Sequence, residues 1–119
     1  MAHYDLPHSH GQHTEHVLEK MPDTAAFEEV AAAFDQLGDA TRLRILWLLC
    51  HCEECVSNIS AAMGMSAPAV SHHLKLLKTS GLITARREGK EVYYTLAKTP
   101  RTEVLHHALD HLFEIQCPV

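Results

Sequence analysis

Histidine and cysteine are the residues of this chain that can hold a transition metal, and they are numerous: eleven histidines and four cysteines, Cys50, Cys52, Cys55 and Cys117, among 119 residues. Five histidines, His3, His8, His10, His13 and His16, fall within the first 22 residues, MAHYDLPHSHGQHTEHVLEKMP. Neutral imidazole nitrogens are good ligands for zinc, nickel and copper, so spaced histidines on a polar segment can capture such an ion or simply solubilise a tail. A second set lies near the other end, where Glu103, His107, His111 and Glu114 advance by 4, 4 and 3 residues. That spacing lines one helix face. Two imidazoles at i and i+4 can chelate one metal and a carboxylate can add an oxygen, although any amphipathic helix also has a solvated polar face.

Another stretch suits phosphate rather than metal. Residues 66–78 read SAPAVSHHLKLLK. Val70, Leu74 and Leu77 recur at i, i+4 and i+7 and predict a buried seam, with Ser66 as N-cap and Pro68 in the first turn. The other face carries Ser71, His72, His73, Lys75 and Lys78 without a carboxylate, which suits a DNA surface. The formal charge of −5 conceals a division. From Ser66 to Arg101, seven basic residues stand against two acidic ones, a net of +5, while the rest of the chain carries −10. Such asymmetry within one small domain points to a local anionic partner.

The elements that must position these residues follow from periodicity. Residues 1–22 are too poor in apolar residues to fold alone and read as a flexible arm, and residues 23–119 read as one domain. Asp23 or Thr24 caps a helix to about Leu37, with Phe27, Val30, Ala31, Phe34 and Leu37 on one face and Gly38 as its stop. A helix from Ala40 to Cys50 is apolar nearly all round at Leu43, Ile45, Leu46, Leu48 and Leu49, as a central core helix should be. After the polar turn HCEEC, a helix from Val56 to Met63 closes at Gly64 and leads directly into the Ser66 stretch, a helix-turn-helix pattern. Leu82–Arg87 and Glu91–Leu96, joined through Glu88-Gly89-Lys90, predict a β-hairpin with Arg86, Arg87 and Lys90 at its tip, a wing that can reach phosphates beside the helix. A last helix from about Pro100 to Gln116 carries Val104, Leu105, Ala108, Leu109 and Leu112 as an apolar stripe. The predicted fold is mainly α with a small β-hairpin, a winged helix-turn-helix dimeric through its first and last helices. A two-fold dimer would present two reading helices to major grooves about 34 Å apart.

No apolar run approaches the roughly 20 residues of a membrane span, and the polar start does not resemble a signal peptide, so the expected location is cytoplasmic and no membrane partner is expected. Reduced cysteines then favour metal or redox chemistry over structural disulfides. No arrangement of nucleophile, base and oxyanion donors is visible, so neither an enzyme nor a small organic substrate is expected.

The segments LGDATRLRILWLL, ECVSNIS, SAPAVSHHLKLLKTSGLI and REGKEVYYTL together resemble the ArsR/SmtB family of metal-responsive winged-helix repressors, over about Phe27 to Phe113. The resemblance implies a homodimer that represses its own efflux or resistance operon and leaves the operator DNA when an inducer binds. One sensing site of that family uses an Asp-x-His pair at the start of the last helix and a His-x-x-His/Glu pair later. His111 and Glu114 match the later pair, whereas Lys98 and Pro100 stand at the earlier one and cannot ligate. Another site has the pattern ELCVCDL, here ECVSNI: Cys55 matches the first cysteine and Ser57 replaces the second. Cys52 and Cys50, with His51 between them, can compensate, and because such sites are completed by the partner's arm, the resemblance implies a mixed site of Cys52, Cys55 and His8, His10 or His13. Zinc suits this set best; cadmium or lead also suit it, and nickel or copper suit the histidine-rich alternatives. Some members of the family instead sense persulfide or oxidant through paired cysteines, for which Cys50 and Cys117 are the candidates. A metal-buffering protein using the His-rich arm is a further reading.

Overall fold

The computed structural model describes residues 5–8 and 10–114. The chain divides into two compact units, residues 1–31 and 32–119. In the first unit, helix α1 (His13–Glu19) buries none of its residues. The Asp23 carboxylate accepts a hydrogen bond from the Ala26 amide at 2.9 Å, which caps the start of α2 (Thr24–Leu37). This satisfies one of the orphan amides every helix start leaves.

Helix α3 (Ala40–His51) begins at the Asp39 cap, whose carboxylate accepts from the Arg42 amide at 2.8 Å. Its Ile45, Leu46 and Leu49 are fully buried, so the helix is central, as its apolar circumference predicts. Strand β1 (Glu54–Cys55) and helix α4 (Val56–Met63) follow. Gly64 ends α4 at φ 65°, a left-handed conformation that costs a residue with a Cβ but not glycine. The turn is three residues long, Gly64 to Ser66. Ser66 then caps α5 (Ala67–Thr79), its hydroxyl accepting from the Ala69 amide at 3.3 Å.

The predicted seam of α5 is in the core: Val70, Leu74 and Leu77 are at most 1% exposed and pack with Ile45, Leu46, Leu49, Ile59, Leu82 and Ile83. Strands β2 (Ile83–Glu88) and β3 (Glu91–Leu96) pair antiparallel, with Glu88 opposite Glu91. The loop is therefore Gly89-Lys90, and the positive φ of Gly89 gives the reverse turn that a two-residue hairpin requires. The expected hairpin is in fact part of a three-stranded sheet of order β1-β3-β2, because Glu54 and Cys55 pair with Tyr94 and Tyr93. The HCEEC segment thus carries ladder bonds as well as a turn.

Helix α6 (Pro100–Leu112) opens with a capping box between Thr99 and Thr102; the buried Thr102 hydroxyl also donates to the Ala97 carbonyl. It stops at Leu112, four residues before the expected end, and Glu114 has φ 54°. Leu109 faces the core, while Val104 and Leu112 are 67% and 78% exposed. Phe34 of α2 is 61% exposed. Among the described residues, no helix is long and apolar enough to cross a membrane.

Candidate nucleic-acid interface and metal ligands

Helix α5 divides its side chains as its spacing predicts, with one exception. Ser66, Ser71, His72, Lys75 and Lys78 are exposed. His73 is half-buried against α3: the Arg42 guanidinium donates through Nε to His73 Nδ1 at 3.3 Å, and through NH1 to the Gln36 side chain at 3.0 Å. Burial, reinforced by the cations nearby and opposed by Asp39, pushes the His73 imidazole below its ordinary range. It therefore stays neutral, with Nδ1 as an acceptor. Of the residues placed on the DNA face by spacing alone, His73 is the one the fold turns inward.

The wing divides similarly. Arg86 donates through Nε and NH2 to the Glu53 carboxylate at 2.6–2.9 Å and through NH1 to Glu88 at 2.7 Å, with its guanidinium 4.9 Å from the Tyr93 ring centre. These hydrogen bonds hold Arg86 firmly protonated and lower the Glu53 carboxyl below its usual range. Its charge is neutralised within the sheet. Arg87 and Lys90 are exposed, and Arg87 makes only a 3.3 Å bond to the Gly89 carbonyl. The exposed cations on α5 and the wing that are not held in an ion pair are thus Lys75, Lys78, Arg87 and Lys90.

The metal candidates are less convergent. Glu103, His107 and His111 are exposed on α6, and Glu114 lies past the helix end, so it does not continue their face. The early stop is the reason: the left-handed backbone at Glu114 breaks the 4-4-3 spacing. Cys52 is exposed and Cys55 is buried in the core, at the start of α4. The Cys52 thiol, in contact with the Leu48 carbonyl at 3.4 Å, is raised by burial and by the Glu54 charge, so an ion there must displace a firmly held proton. Cys50 is half-buried on α3, and Cys117 lies outside the described residues. His8, His10 and His13 belong to the first compact unit, with the His8 and His10 rings 6.1 Å apart.

Among the described residues, the group whose donor atoms converge within 4.8 Å is one that spacing does not single out: His51, His106 and Asp110. The i, i+4 relation of His106 and Asp110 is readable in the sequence, but His51 lies 55 residues away. Only the packing of α3 against α6 brings it to them.

Residues 39–85 match the model of the arsR family of bacterial regulatory proteins. The chain is 36% identical over 105 residues to a transcriptional repressor SmtB homolog of Synechocystis, covering 86% of this chain and 80% of that relative. It is 36% identical over 88 residues to a cadmium resistance transcriptional regulatory protein CadC homolog of Staphylococcus aureus, covering 73% of each. Among solved structures it is similar to HlyU from Vibrio cholerae, with a TM-score of 0.70, 28% identity, and 78% of this chain and 98% of that one covered. A homodimeric winged helix-turn-helix DNA-binding domain from Mycobacterium bovis is similar at a TM-score of 0.69 and 33% identity, over 79% of this chain and 88% of that one. With this likeness over most of its length and α4, the three-residue turn, α5 and the wing in sequence, the chain is a member of the ArsR/SmtB family of metal-responsive transcriptional regulators.

Proposed function

We propose that the chain acts in the cytoplasm as a homodimeric repressor that binds operator DNA and releases it when a divalent transition or heavy metal ion, zinc first among them, binds. The observation that carries this reading is the exposed face of α5, where Ser71, His72, Lys75 and Lys78 stand together without a carboxylate, on a helix whose opposite face is locked into the core. On this reading Ser71 and His72 meet base edges, and Ser66, Lys75, Lys78, Arg87 and Lys90 meet phosphates. The exposed Phe34, Val104 and Leu112 support a partner protomer on α2 and α6, since isolated apolar side chains so exposed gain from mutual burial.

The relatives' names support metal as the inducer. Within the chain, Cys52 and Cys55 with arm residues 1–22 (His8, His10, His13), and Glu103, His107, His111 and Glu114 on and after α6, are the ligand sets that a dimer could complete. Coupling between metal and operator is a free-energy difference of about 1–3 kcal/mol, a 5- to 150-fold change in affinity. The test is fluorescence anisotropy on a labelled duplex from upstream of the chain's own reading frame, with reduced protein. Zinc should weaken binding within that range. Unchanged affinity with zinc, cadmium, lead, nickel and copper would overturn metal sensing; the absence of sequence-specific binding would overturn the repressor.

A further inference from the structure

We infer that His51, His106 and Asp110 form a metal site within a single protomer, selective for a divalent transition ion that accepts two imidazoles and one carboxylate, such as Zn2+ or Co2+. The three side chains come from the C-terminal turn of α3 and the middle of α6. His51 Nε2 lies 3.2 Å from His106 Nε2 and 3.3 Å from Asp110 Oδ1, and His106 Nε2 lies 3.2 Å from Asp110 Oδ2. With bonds of about 2.0–2.1 Å, a tetrahedral ion holds its ligands about 3.3–3.4 Å apart. The separations seen are close to those edges, with Asp110 turning a different oxygen to each ring, and one donor atom from each residue lies within 4.8 Å of the others. The side chains are 4%, 22% and 14% exposed for His51, His106 and Asp110, so the cluster is largely shielded from water.

The hydrogen-bond geometry calls for a cation at the centre. His51 Nδ1 is 2.7 Å from the Trp47 carbonyl, which only accepts, so Nδ1 carries a proton and Nε2 is the nitrogen left to offer a lone pair to the cluster. A backbone carbonyl on the far nitrogen is the arrangement that orients metal-ligating histidines. Asp110 Oδ1 is buried and receives no hydrogen bond, although His51 Nε2 is beside it. A lone pair facing a carboxylate oxygen at that distance is unfavourable without positive charge between them, which a second ring proton or a metal ion supplies. One proton on His106 Nε2 can satisfy either His51 or Asp110, whereas an ion satisfies both. A groove of about 460 Å³, lined in part by Cys50, Glu103 and His106, reaches the cluster at its His106 edge.

The site also joins the right elements. His51 ends α3, and Arg42, one helix length away, holds His73 of the reading helix. An ion fixing α3 to α6 would therefore bear on the placement of α5; this regulatory use rests on the repressor reading, while the site itself does not.

The test is a Co2+ titration of the full reduced chain, read by absorbance and by the emission of Trp47, the sole tryptophan, whose ring centre is 4.5 Å from that of His51. The expected result is one Co2+ per protomer that quenches Trp47 and shows tetrahedral d–d bands without sulfur-to-cobalt charge transfer, retained when the cysteine and outer-face histidine ligand sets are removed. His106→Gln and the isosteric Asp110→Asn, with far-UV circular dichroism unchanged, should each weaken this binding at least about tenfold. Cys52→Ser/Cys55→Ser, His107→Ala/His111→Ala and His8→Ala/His10→Ala/His13→Ala should leave it intact. Trp47 quenching by Co2+ that survives both His106→Gln and Asp110→Asn, or that is lost in Cys52→Ser/Cys55→Ser together with thiolate bands, would overturn the site. If Co2+ binds as expected but Zn2+ releases operator equally from wild type and Asp110→Asn, the site stands and its regulatory use falls; if no specific operator binding exists, the repressor reading falls and the titration still decides the site.

Discussion

Salt dependence distinguishes cations that meet phosphate from cations already spent inside the fold. Each phosphate neutralised by a lysine or arginine adds about 0.9 to the slope of log affinity against log salt. Lys75 and Lys78 are exposed on α5, with no carboxylate on their face. In a dimer, Lys75→Ala/Lys78→Ala removes four contacts and should flatten the slope by about 3.6. Between about 50 and 200 mM salt, wild type would then lose about 150-fold more affinity than the variant. Arg87→Ala, removing two contacts per dimer, should flatten it by about 1.8. Arg86→Ala should leave it unchanged, because its guanidinium is already matched to Glu53 and Glu88. Equilibrium anisotropy on one operator duplex across a salt series measures all four slopes. A wild-type slope in the double-lysine variant, or an Arg86 effect equal to that of Arg87, would refute the division of the wing and helix into phosphate-facing and internally paired cations.

The other expectations concern the scaffold and its response to pH. Gly64→Ala should destabilise by about 1–2 kcal/mol in urea unfolding, from backbone strain alone, since an added Cβ at φ 65° meets no atom within 4 Å. Leu74→Ala, at 1% exposure, should cost about 2.7–5 kcal/mol and shift the urea midpoint with m unchanged. His73 binds its proton less readily when folded than when unfolded, so its contribution is present above about pH 6.5 and is lost as pH falls through the depressed folded value. Protonation also turns Nδ1 into a donor and breaks the bond from Arg42. Wild type should therefore lose more thermal stability than His73→Gln between pH 7 and pH 5; equal losses would count against the α3–α5 contact.

The reading helix and wing were legible because each is fixed by local rules. Ser66 as a cap, the 3.6-residue recurrence of Val70, Leu74 and Leu77, and the glycines at 64 and 89 specify the conformation within a few residues of themselves. The span of α4 agrees with its periodicity residue for residue. Strand β1 was not legible, since two residues have no periodicity and pair only because β3 lies beside them. The same limit applies to charge: Arg86 looks like any wing cation until the sheet brings Glu53, 33 residues earlier, against it. His73 is adjacent to the exposed His72, and one helical step of about 100° decides which of the two turns toward α3.

The metal ligands illustrate why spacing and convergence select different residues. Glu103, His107 and His111 share a face, but that face is exposed, where water competes for every ligand and nothing fixes a rotamer. His106 lies 100° away on the side of α6 turned toward α3, and there burial does what spacing cannot. It removes water, orients His51 through the Trp47 carbonyl, and leaves an Asp110 oxygen without a hydrogen bond. A donor set becomes a site when the fold has already met the entropic and desolvation costs of assembling it. By that criterion the histidines most conspicuous in the sequence, in the arm and on the outer face of α6, need a second protomer to become ligands of high affinity. His51, His106 and Asp110 are gathered by the core of one.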